Sequence, residues 1–313
     1  MLSEIKAGQR IEDLIVQLSH LQLRTSASGK NYLDIQLKDK TMIVPCKMWN
    51  ADKVNLDDIK IGAIVRINGR SDEFKGNLQI IAEEIILVEE ITEAIVDRIY
   101  EVAPISGLEM YEQMYAAAEK MEDVDLRRLT CAMLADNREQ LLIFPGAKRM
   151  HHAQRAGLLY HTYTMLRGAK AFADIYPHLD KDLLYAAVML HDIGKLREIE
   201  LDASGIPIDY TKEGKLLGHI ISGICMIDEK ARQLEINVEI TLVLKHTILA
   251  HHYFEEYGSP KKPMIAEVEV LYYLDALDAR MFQFAEVKEK TEKGAFSDAV
   301  YALENRRIYR PDR

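Results

Sequence analysis

The stretch AVMLHDIGK, residues 187–195, governs how the C-terminal part of this chain is interpreted. It places His191 and Asp192 side by side at the end of an apolar run that predicts a helix. Such a pair is weak evidence alone, because adjacent histidine and aspartate occur by chance in many proteins. Further candidate ligands lie on both sides of it, namely His161, His219, His251, His252 and Asp275. Imidazole nitrogens and carboxylate oxygens with no thiolate nearby suit Mn, Fe, Mg or Zn in hydrolytic work.

The candidate ligands are predicted to lie on successive helices. Apolar residues at helical spacing predict helices over residues 158–166, 181–191, 214–233, 238–252 and 266–280. Gly194 is a plausible terminator of the second of these helices. Helical bundles assemble two-metal sites from ligands on successive helices, and the two oxygens of the Asp192 carboxylate can bridge two ions. The sequence therefore predicts a helical domain built around a two-metal centre.

The N-terminal part of the chain has a different pattern, in which apolar and polar residues alternate. The predicted strands are RIEDLIVQLSHLQLR (10–24), YLDIQLK (32–38), TMIVPCKMW (41–49), AIVRINGR (63–70) and LQIIAEEIILV (78–88). Residues 50–60 form a helical or irregular link between the third and fourth strands. Five strands with such a link are typical of a small Greek-key barrel.

This strand order resembles the OB-fold of the tRNA-anticodon-binding type, which commonly binds single-stranded nucleic acid. The resemblance implies that the loops at residues 26–30 and 74–77 grip the strand. The candidate stacking residues are Tyr32, Trp49 and Phe74, and the candidate phosphate contacts are Lys30, Lys47, Arg70 and Lys75. Two alternatives stay open. In one the aromatic residues form barrel core, and in the other the barrel serves protein–protein contact or oligomerisation.

A helical pattern begins near residue 91 and divides the chain into three predicted parts. These are a nucleic-acid-binding barrel at 1–90, a helical connector at 91–146 and a metal-binding domain at 147–313. The apolar faces of the connector helices need burial, so we expect the connector to pack on the C-terminal domain. The predicted fold class is multidomain α+β, with an OB-fold barrel followed by an all-α domain.

The candidate ligands resemble the signature of the HD-domain phosphohydrolase superfamily, which is His161, His191-Asp192 and Asp275 in this sequence. The additional histidines resemble those of superfamily members that hold a second metal. In the stretch LDALDA (274–279), alignment on the Asp-x-x-Asp-Ala pattern makes Asp275 the ligand and Asp278 its neighbour. His151 and His152 precede the first ligand helix and are further candidates for phosphate contact.

A barrel followed by helices and an HD domain resembles the YhaM family of bacterial 3′-to-5′ exoribonucleases over nearly the whole chain. The runs KRMHHA (148–153), GLLYH (157–161) and LHDIGK (190–195) fit that family. The resemblance implies a metal-dependent phosphodiesterase that releases 5′-mononucleotides from single-stranded RNA. Manganese is the first choice of ion by resemblance, with Fe, Mg and Zn as alternatives. Single-stranded DNA is a further candidate substrate, because stacking does not read the 2′-hydroxyl.

The expected chemistry assigns catalytic roles to Asp192 and Lys195. Two ions bridged by Asp192 would lower the pKa of a water that attacks the phosphodiester in line, and Lys195 would neutralise charge on the phosphate oxygens. In one rival interpretation the HD domain hydrolyses a small cyclic or triphosphate nucleotide, and the barrel serves regulation or assembly. In another, the metal site is degenerate and the chain is an RNA-binding adaptor.

Composition limits these interpretations only loosely. A length of 313 residues with 48% hydrophobic residues predicts two domains with sizeable cores. A net charge of −10 argues mildly against a general nucleic-acid coat. The sequence shows no signal peptide and no long apolar run, and Cys46, Cys131 and Cys225 are scattered, so we expect reduced thiols in a cytoplasmic protein. A homo-oligomer is compatible with the sequence, and the basic run at 304–313 fits an RNA clamp, a subunit contact or a solvated tail.

Overall fold

The structure is a computed structural model that describes most of the chain. The described residues are 1–26, 29–50, 59–100, 102–147, 154–201, 205 and 207–313. Within them, the chain folds into two compact units, Met1–Val102 and Ala103–Arg313. The link predicted at 50–60 falls largely outside the described residues, as do His151 and His152.

Five strands of the first unit form a closed barrel. They are β1 (Arg10–Thr25), β2 (Asn31–Lys38), β3 (Ile43–Met48), β4 (Ile64–Phe74) and β5 (Asn77–Leu87). Their order is β1-β2-β3-β5-β4, and pairing of β1 with β4 closes the barrel. Strand β3 pairs with β5 in parallel, whereas the other neighbouring strands are antiparallel. This is the predicted Greek-key barrel, and the OB-fold expectation is confirmed.

Side-chain alternation explains which residues fill the barrel. Along β2, Leu33, Ile35 and Leu37 are buried, while the residues between them face outward. The strand β4 has a register shift at Gly69, where a Cβ atom would lie 2.2 Å from the carbonyl oxygen of Ile81. Only glycine permits that close approach of two strands, which lets the sheet curve and close.

A short helix, α1 (Glu93–Ile99), follows the barrel and packs against β1. Nearby, the side-chain amide of Gln17 donates a hydrogen bond to the Tyr100 hydroxyl at 3.1 Å. The first part of the predicted connector thus belongs to the first unit, and the rest belongs to the second. The three-part division of the chain stays a prediction.

Helices make up most of the second unit. They are α2 (Gly107–Glu119), α3 (Val124–Asp136), α4 (Arg138–Leu141), α5 (Gly157–Ile175), α6 (Lys181–Leu190), α7 (Lys195–Glu198), α8 (Lys212–Gln233), α9 (Val238–Ala250) and α10 (Ala266–Lys290). Helix α6 lies among α3, α5, α9 and α10, which explains why it is apolar on nearly every side. No helix in the described part of the chain is long and apolar enough to cross a bilayer.

Two short hairpins add to these helices, and the sequence pattern did not predict them. One joins β6 (Ile199–Leu201) to β7 (Pro207–Tyr210), and the other joins β8 (Phe296–Val300) to β9 (Arg306–Tyr309). Part of the run at 304–313 therefore belongs to a hairpin, while most of its residues are exposed, and the three alternatives for its role stay predictions. Strand β9 is paired, and the Arg310 guanidinium donates hydrogen bonds to the backbone oxygens of Lys288 and Thr291 at 2.9 and 2.8 Å.

Candidate metal centre

Two of the predicted ligand histidines lie directly after the ends of helices. His191 follows α6, and its Nδ1 lies 2.9 Å from the carbonyl oxygen of Val188. His251 follows α9, and its Nδ1 lies 2.7 Å from the carbonyl oxygen of Ile248. Because a carbonyl oxygen only accepts, each Nδ1 carries the proton and each Nε2 has a lone pair available to a metal. The helix ends therefore fix the tautomer of both rings.

Helix α5 supplies His161, and helix α10 supplies the carboxylates around it. The Nδ1 of His161 lies 2.7 Å from Asp278 Oδ2, while its Nε2 lies 3.3 Å from Asp275 Oδ1. The Thr164 hydroxyl holds the other oxygen of Asp278 at 2.6 Å. Asp278 is thus a positioning residue behind the ring, as the outer carboxylates of metal-bound histidines are.

His219 is positioned by a kink in α8. Gly218, directly before it, has a φ of +72°, which glycine adopts without strain. The backbone N–H of His219 donates to Glu198 Oε1 at 3.0 Å, and the ring Nδ1 lies 3.2 Å from the same oxygen. Gly194 has an ordinary φ of −64°. A Cβ atom there would lie 1.9 Å from the carbonyl oxygen of His219, so its role is close approach rather than helix termination.

The loop after α9 positions His252. Its Nδ1 lies 2.7 Å from the carbonyl oxygen of Tyr257, so this ring also carries its proton on Nδ1. Its backbone N–H donates to the buried Ser259 hydroxyl at 3.1 Å. The second histidine of the pair is therefore as firmly oriented as the first.

The seven predicted ligands converge on one centre with two halves. The first cluster contains His161, His191 and Asp192, and the second contains His219, His251 and His252; in each, one potential ligand atom per residue lies within 4.8 Å of the others. Asp275 adjoins the first cluster through His161. The side chains come from α5, α8, α10 and the ends of α6 and α9, which are the successive helices that the sequence predicted.

Asp192 lies between the two clusters and turns one oxygen towards each. Its Oδ2 lies 3.2 Å from His191 Nε2 and 3.9 Å from His161 Nε2. Its Oδ1 lies 3.5 Å from His219 Nε2 and 4.0 Å from His251 Nε2. This is the arrangement that a carboxylate needs if it is to bridge two cations.

Unsatisfied polar atoms test whether the centre suits a metal. Four buried ligand-type atoms have no hydrogen-bond partner: His191 Nε2, Asp192 Oδ1, His219 Nε2 and His251 Nε2. Buried polar atoms without partners are rare, because each costs roughly 1–3 kcal/mol. These four atoms are all potential metal ligands of one centre, whereas the other such atoms in the described part of the chain, on Arg98, Thr130 and Gln283, do not belong to it. The residues therefore fit divalent cations.

The electrostatics of the centre favour positive charge. Burial alone would lower the pKa of His161, but its contacts with Asp275 and Asp278 raise it to about 9. Burial alone would raise the pKa of Asp192, but Lys195 and the adjacent histidine hold it well below its usual range. A cation in this place would take over the proton's role on His161, which is the usual coupling of metal binding to proton release.

Lys195 is tied to the bridging carboxylate. Its Nζ lies 2.7 Å from Asp192 Oδ2, and the carboxylate raises its pKa against the opposing effect of burial. The ammonium group is therefore charged and lies beside the oxygen that faces the first cluster. Whether it also contacts a phosphate stays a prediction.

On the barrel, four of the predicted nucleic-acid contacts form one group, the barrel aromatic face. It consists of Tyr32, Lys47, Trp49 and Phe74. The Lys47 ammonium lies 5.4, 5.6 and 5.8 Å from the centres of the Tyr32, Trp49 and Phe74 rings, respectively. Trp49 is 49% exposed and Phe74 is 55% exposed, so the barrel-core alternative is wrong for these two residues. An aromatic face with a cation over it is chemically suited to stacking with bases.

The remaining barrel candidates lie around this face or apart from it. Lys75 lies 5.5 Å from the Phe74 ring, in the loop between β4 and β5. Lys30 and Arg70 are exposed, and no ring contact joins them to the face among the described residues. The loop predicted at 26–30 is described only at its ends.

Two positioning residues received no role in the sequence analysis. Asp278 could have been found from the Asp-x-x-Asp spacing, because one helical turn places it beside Asp275. Glu198 had no comparable signal. Its contact with His219 depends on a kink and on a close helix approach that the one-dimensional pattern does not record.

Comparison with family models agrees with both halves of the structure. An HD domain model matches residues 158–280, and an OB-fold nucleic acid binding domain model matches residues 15–88. The HD match begins in α5 and ends in α10, so it includes every side chain of the centre. An HD domain implies dependence on a divalent metal, in agreement with the donor atoms described above.

Curated relatives match over nearly the whole chain. A 3′-5′ exoribonuclease YhaM of Bacillus velezensis is 36% identical over 99% of this chain and 97% of its own length. The proteins of the same name from Bacillus subtilis and from a Geobacillus species are 35% identical, over 99% and 98% of this chain and 97% and 93% of their own lengths. The similarity to these relatives therefore extends over both the barrel and the helical part of the chain.

Proposed function

We propose that this chain, which belongs to the YhaM family of 3′-5′ exoribonucleases, shortens single-stranded RNA from its 3′ end and releases 5′-mononucleotides. The observation that carries the proposal is the bridging position of Asp192. One of its oxygens faces the first cluster, and the other faces the second. Such a centre suits hydrolysis of a phosphodiester, in which charge builds up on several oxygens at once.

The proposed cofactor is a pair of divalent ions, with Mn as the first choice and Fe, Mg and Zn as alternatives. The first ion would be held by His161, His191, Asp192 and Asp275, and the second by Asp192, His219, His251 and His252. When bound, the ions supply a water of lowered pKa and neutralise charge on the scissile phosphate. Support comes from the orphaned buried atoms of both clusters.

The chain's own residues would orient and balance this reaction. Lys195 keeps Asp192 ionised and offers a positive charge to a phosphate oxygen as negative charge develops there. The oxygen of water bonds to phosphorus while the bond to the 3′-oxygen of the penultimate nucleotide breaks. The 3′-oxygen then takes up a proton, which leaves a new 3′-hydroxyl on the shortened RNA.

The barrel would hold the RNA by stacking and by charge. Tyr32, Trp49 and Phe74 would stack with bases, each contact contributing about 1–3 kcal/mol without regard to sequence. Lys30, Lys47, Arg70 and Lys75 would contact phosphates, so binding would weaken as salt is raised. None of these contacts requires a 2′-hydroxyl, and single-stranded DNA is therefore included as a substrate in the proposal.

The rival interpretations have less support. Hydrolysis of a small nucleotide does not call for a barrel face suited to stacking with bases, and the curated relatives carry the name exoribonuclease. An adaptor without activity does not need seven convergent ligands. A cytoplasmic location belongs to the proposal, because Cys46, Cys131 and Cys225 are all free, as reducing conditions favour. A homo-oligomer stays a prediction.

The test is a gel time course with 5′-labelled single-stranded RNA in the presence of Mn. The wild type should produce a ladder of labelled RNAs that shorten from the 3′ end, and Asp192→Ala should leave the RNA intact. Asp174→Ala is the matched control, because it removes an exposed carboxylate from α5 and should behave like the wild type. Intact RNA with the wild type under Mn, Mg, Fe and Zn alike would refute the proposal, and cyclic and triphosphate nucleotides would then be screened.

A further inference from the structure

We propose that the loop after the second ligand cluster forms a binding subsite for the base of the 3′-terminal nucleotide. This inference rests on the proposed function and adds to it the place where the chain end is recognised. The subsite is formed by Tyr253, Phe254 and Lys262, with Tyr272 of α10 behind them. We call it the end-base subsite.

The end-base subsite is joined directly to the metal centre. Tyr253 is the residue after His252, and the Phe254 N–H donates to the His252 carbonyl oxygen at 2.7 Å. The same loop returns to His252 through Tyr257, whose carbonyl oxygen lies 2.7 Å from the ring Nδ1. A group bound against Tyr253 would therefore contact the residue that directly follows a proposed metal ligand in the sequence.

Helix α10 lies behind the aromatic rings of the subsite and also carries a proposed ligand. The rings of Tyr253 and Tyr272 have their centres 4.9 Å apart. Tyr272 precedes Asp275 by three residues, so the two side chains lie one above the other on the same face of the helix. The loop and the ring behind it are thus connected through the backbone to residues of the centre, which places the subsite close to where the reacting phosphate would lie.

The surface of the subsite is aromatic and partly open. The centres of the Tyr253 and Phe254 rings lie 4.9 Å apart, and the Phe254 side chain is 38% exposed. Tyr253 has a φ of +66°, an unfavourable backbone conformation for a tyrosine. Such strain persists only where the surroundings hold it, and it is concentrated at ligand-binding sites.

The cavity in this loop has the size and charge for a base rather than a phosphate. Its volume is about 220 Å³, below the roughly 300–1,000 Å³ of sites that take whole small molecules. It is lined by Tyr253, Phe254, Glu255, Glu256 and Lys262 among others. The two glutamates repel a phosphate, whereas a neutral base can stack on the rings and accept or donate hydrogen bonds at its edge.

Lys262 adds a feature that favours stacking. Its ammonium lies 5.2 Å from the centre of the Tyr253 ring, within the range of a cation–π contact. The terminal nucleotide carries a backbone phosphate on one side only, whereas the nucleotide before it carries phosphates on both sides, so Glu255 and Glu256 repel the terminal nucleotide less. The structure therefore favours the last base over the one before it.

The test compares three RNAs that differ only at the end: an intact one, one that lacks the terminal base, and one that lacks the penultimate base. For the wild type, kcat/KM should fall about tenfold on loss of the terminal base, as expected for one stacked base. Phe254→Leu should lower kcat/KM on intact RNA by a similar factor and no longer respond to the terminal base. Phe254→Tyr keeps the ring and should retain both the rate and the response.

A control variant and a binding measurement complete the test. Phe172→Leu changes a phenylalanine of similar exposure, 36%, that lies about 17 Å along α5 from His161, and it should match the wild type. RNA ending in 2-aminopurine should lose fluorescence on binding to the metal-free wild type and lose less with Phe254→Leu. This measurement needs no turnover.

The outcomes separate the two proposals. If the wild type degrades RNA equally with and without the terminal base, or if Phe254→Leu responds like the wild type, the end-base subsite is wrong while the exonuclease stands. A response to the penultimate base alone would also overturn it. If no RNA is degraded at all, the proposed function fails, and the fluorescence measurement decides the subsite by itself.

Discussion

The two ligand clusters of the metal centre differ in their negative charge and in the structural elements that hold their side chains in place. The first combines two imidazoles, His161 and His191, with the carboxylates of Asp192 and Asp275, and His161, His191 and Asp192 are buried. The second has three imidazoles and shares only one oxygen of Asp192. Attraction for a cation is stronger where more negative charge is buried. The first cluster therefore obtains its affinity from charge, and the second depends on how well its rings are positioned.

The supporting structure agrees with this difference. The first cluster is carried by helices without a kink, and the buried Asp192 is held ionised by its ion pair with Lys195. The second is carried by the kink at Gly218 and by a loop, and its His219 depends on Glu198 for both ring and backbone orientation. We expect the first ion to bind more tightly and the second to respond more strongly to changes outside the centre.

The largest effect should come from the residue that the clusters share. Asp192→Asn should abolish binding of both ions, because it removes charge from both clusters at once. Activity should fall by more than the roughly 10–100-fold that loss of an outer partner costs. Metal content per chain, measured after gel filtration in Mn, should drop to that of a chelator-treated sample, while Asp174→Asn keeps the wild-type content. Retention of one ion would mean that Asp192 does not bridge.

Variants confined to one cluster should separate the two affinities. Asp275→Asn should remove the tighter of two binding events seen when Mn is titrated into chelator-treated protein by calorimetry. His252→Gln should remove the weaker event and leave the tighter one unchanged. If Asp275→Asn removed the weaker event and His252→Gln the tighter one, negative charge would not determine which ion binds more tightly. A single binding event in the wild type would refute the expectation of two sites with unequal affinity.

Substitution of a residue that only positions a ligand should weaken ion binding less than loss of the ligand itself. We expect this effect to be larger in the second cluster than in the first. Glu198→Gln should weaken the second ion by about 10–100-fold, because the amide no longer holds the His219 ring with a full charge. The control Glu200→Gln changes an exposed glutamate two residues away and should leave both ions unaffected. The measurement is the Mn concentration for half-maximal activity. If the Mn concentration for half-maximal activity rose equally in both variants, Glu198 would act only through its negative charge and not by orienting the His219 ring.

The smallest effect concerns the kink itself. Gly218→Ala should lower the free energy of unfolding by about 1 kcal/mol, because alanine at positive φ is strained. Gly223→Ala lies in the same helix, where a Cβ would make an ordinary 3.4 Å contact with Ile248, and should not destabilise the protein. Urea unfolding of metal-free protein measures both. If the two variants unfolded alike, the kink would not require glycine.

The sequence allowed the main elements and the ligand set to be predicted, because both follow from local patterns. Alternation in β2 and helical spacing around His161 are properties of neighbouring residues. The hairpins β6–β7 and β8–β9 escaped prediction since strands of three to five residues carry too little pattern. Glu198 escaped because its role depends on α7 and α8 meeting at Gly194, a contact between segments. A contact between residues that are far apart in the sequence cannot be read from the pattern of neighbouring residues.

The helix-end hydrogen bonds of His191 and His251 have a consequence for how long an ion stays bound. Each ring closes the last turn of a helix through a carbonyl oxygen three residues earlier, so ring and helix end must move together. Helix ends are the parts that open most readily, on timescales far shorter than global unfolding. We therefore expect release of an ion from this centre to be coupled to opening of the final turn of α6 or α9.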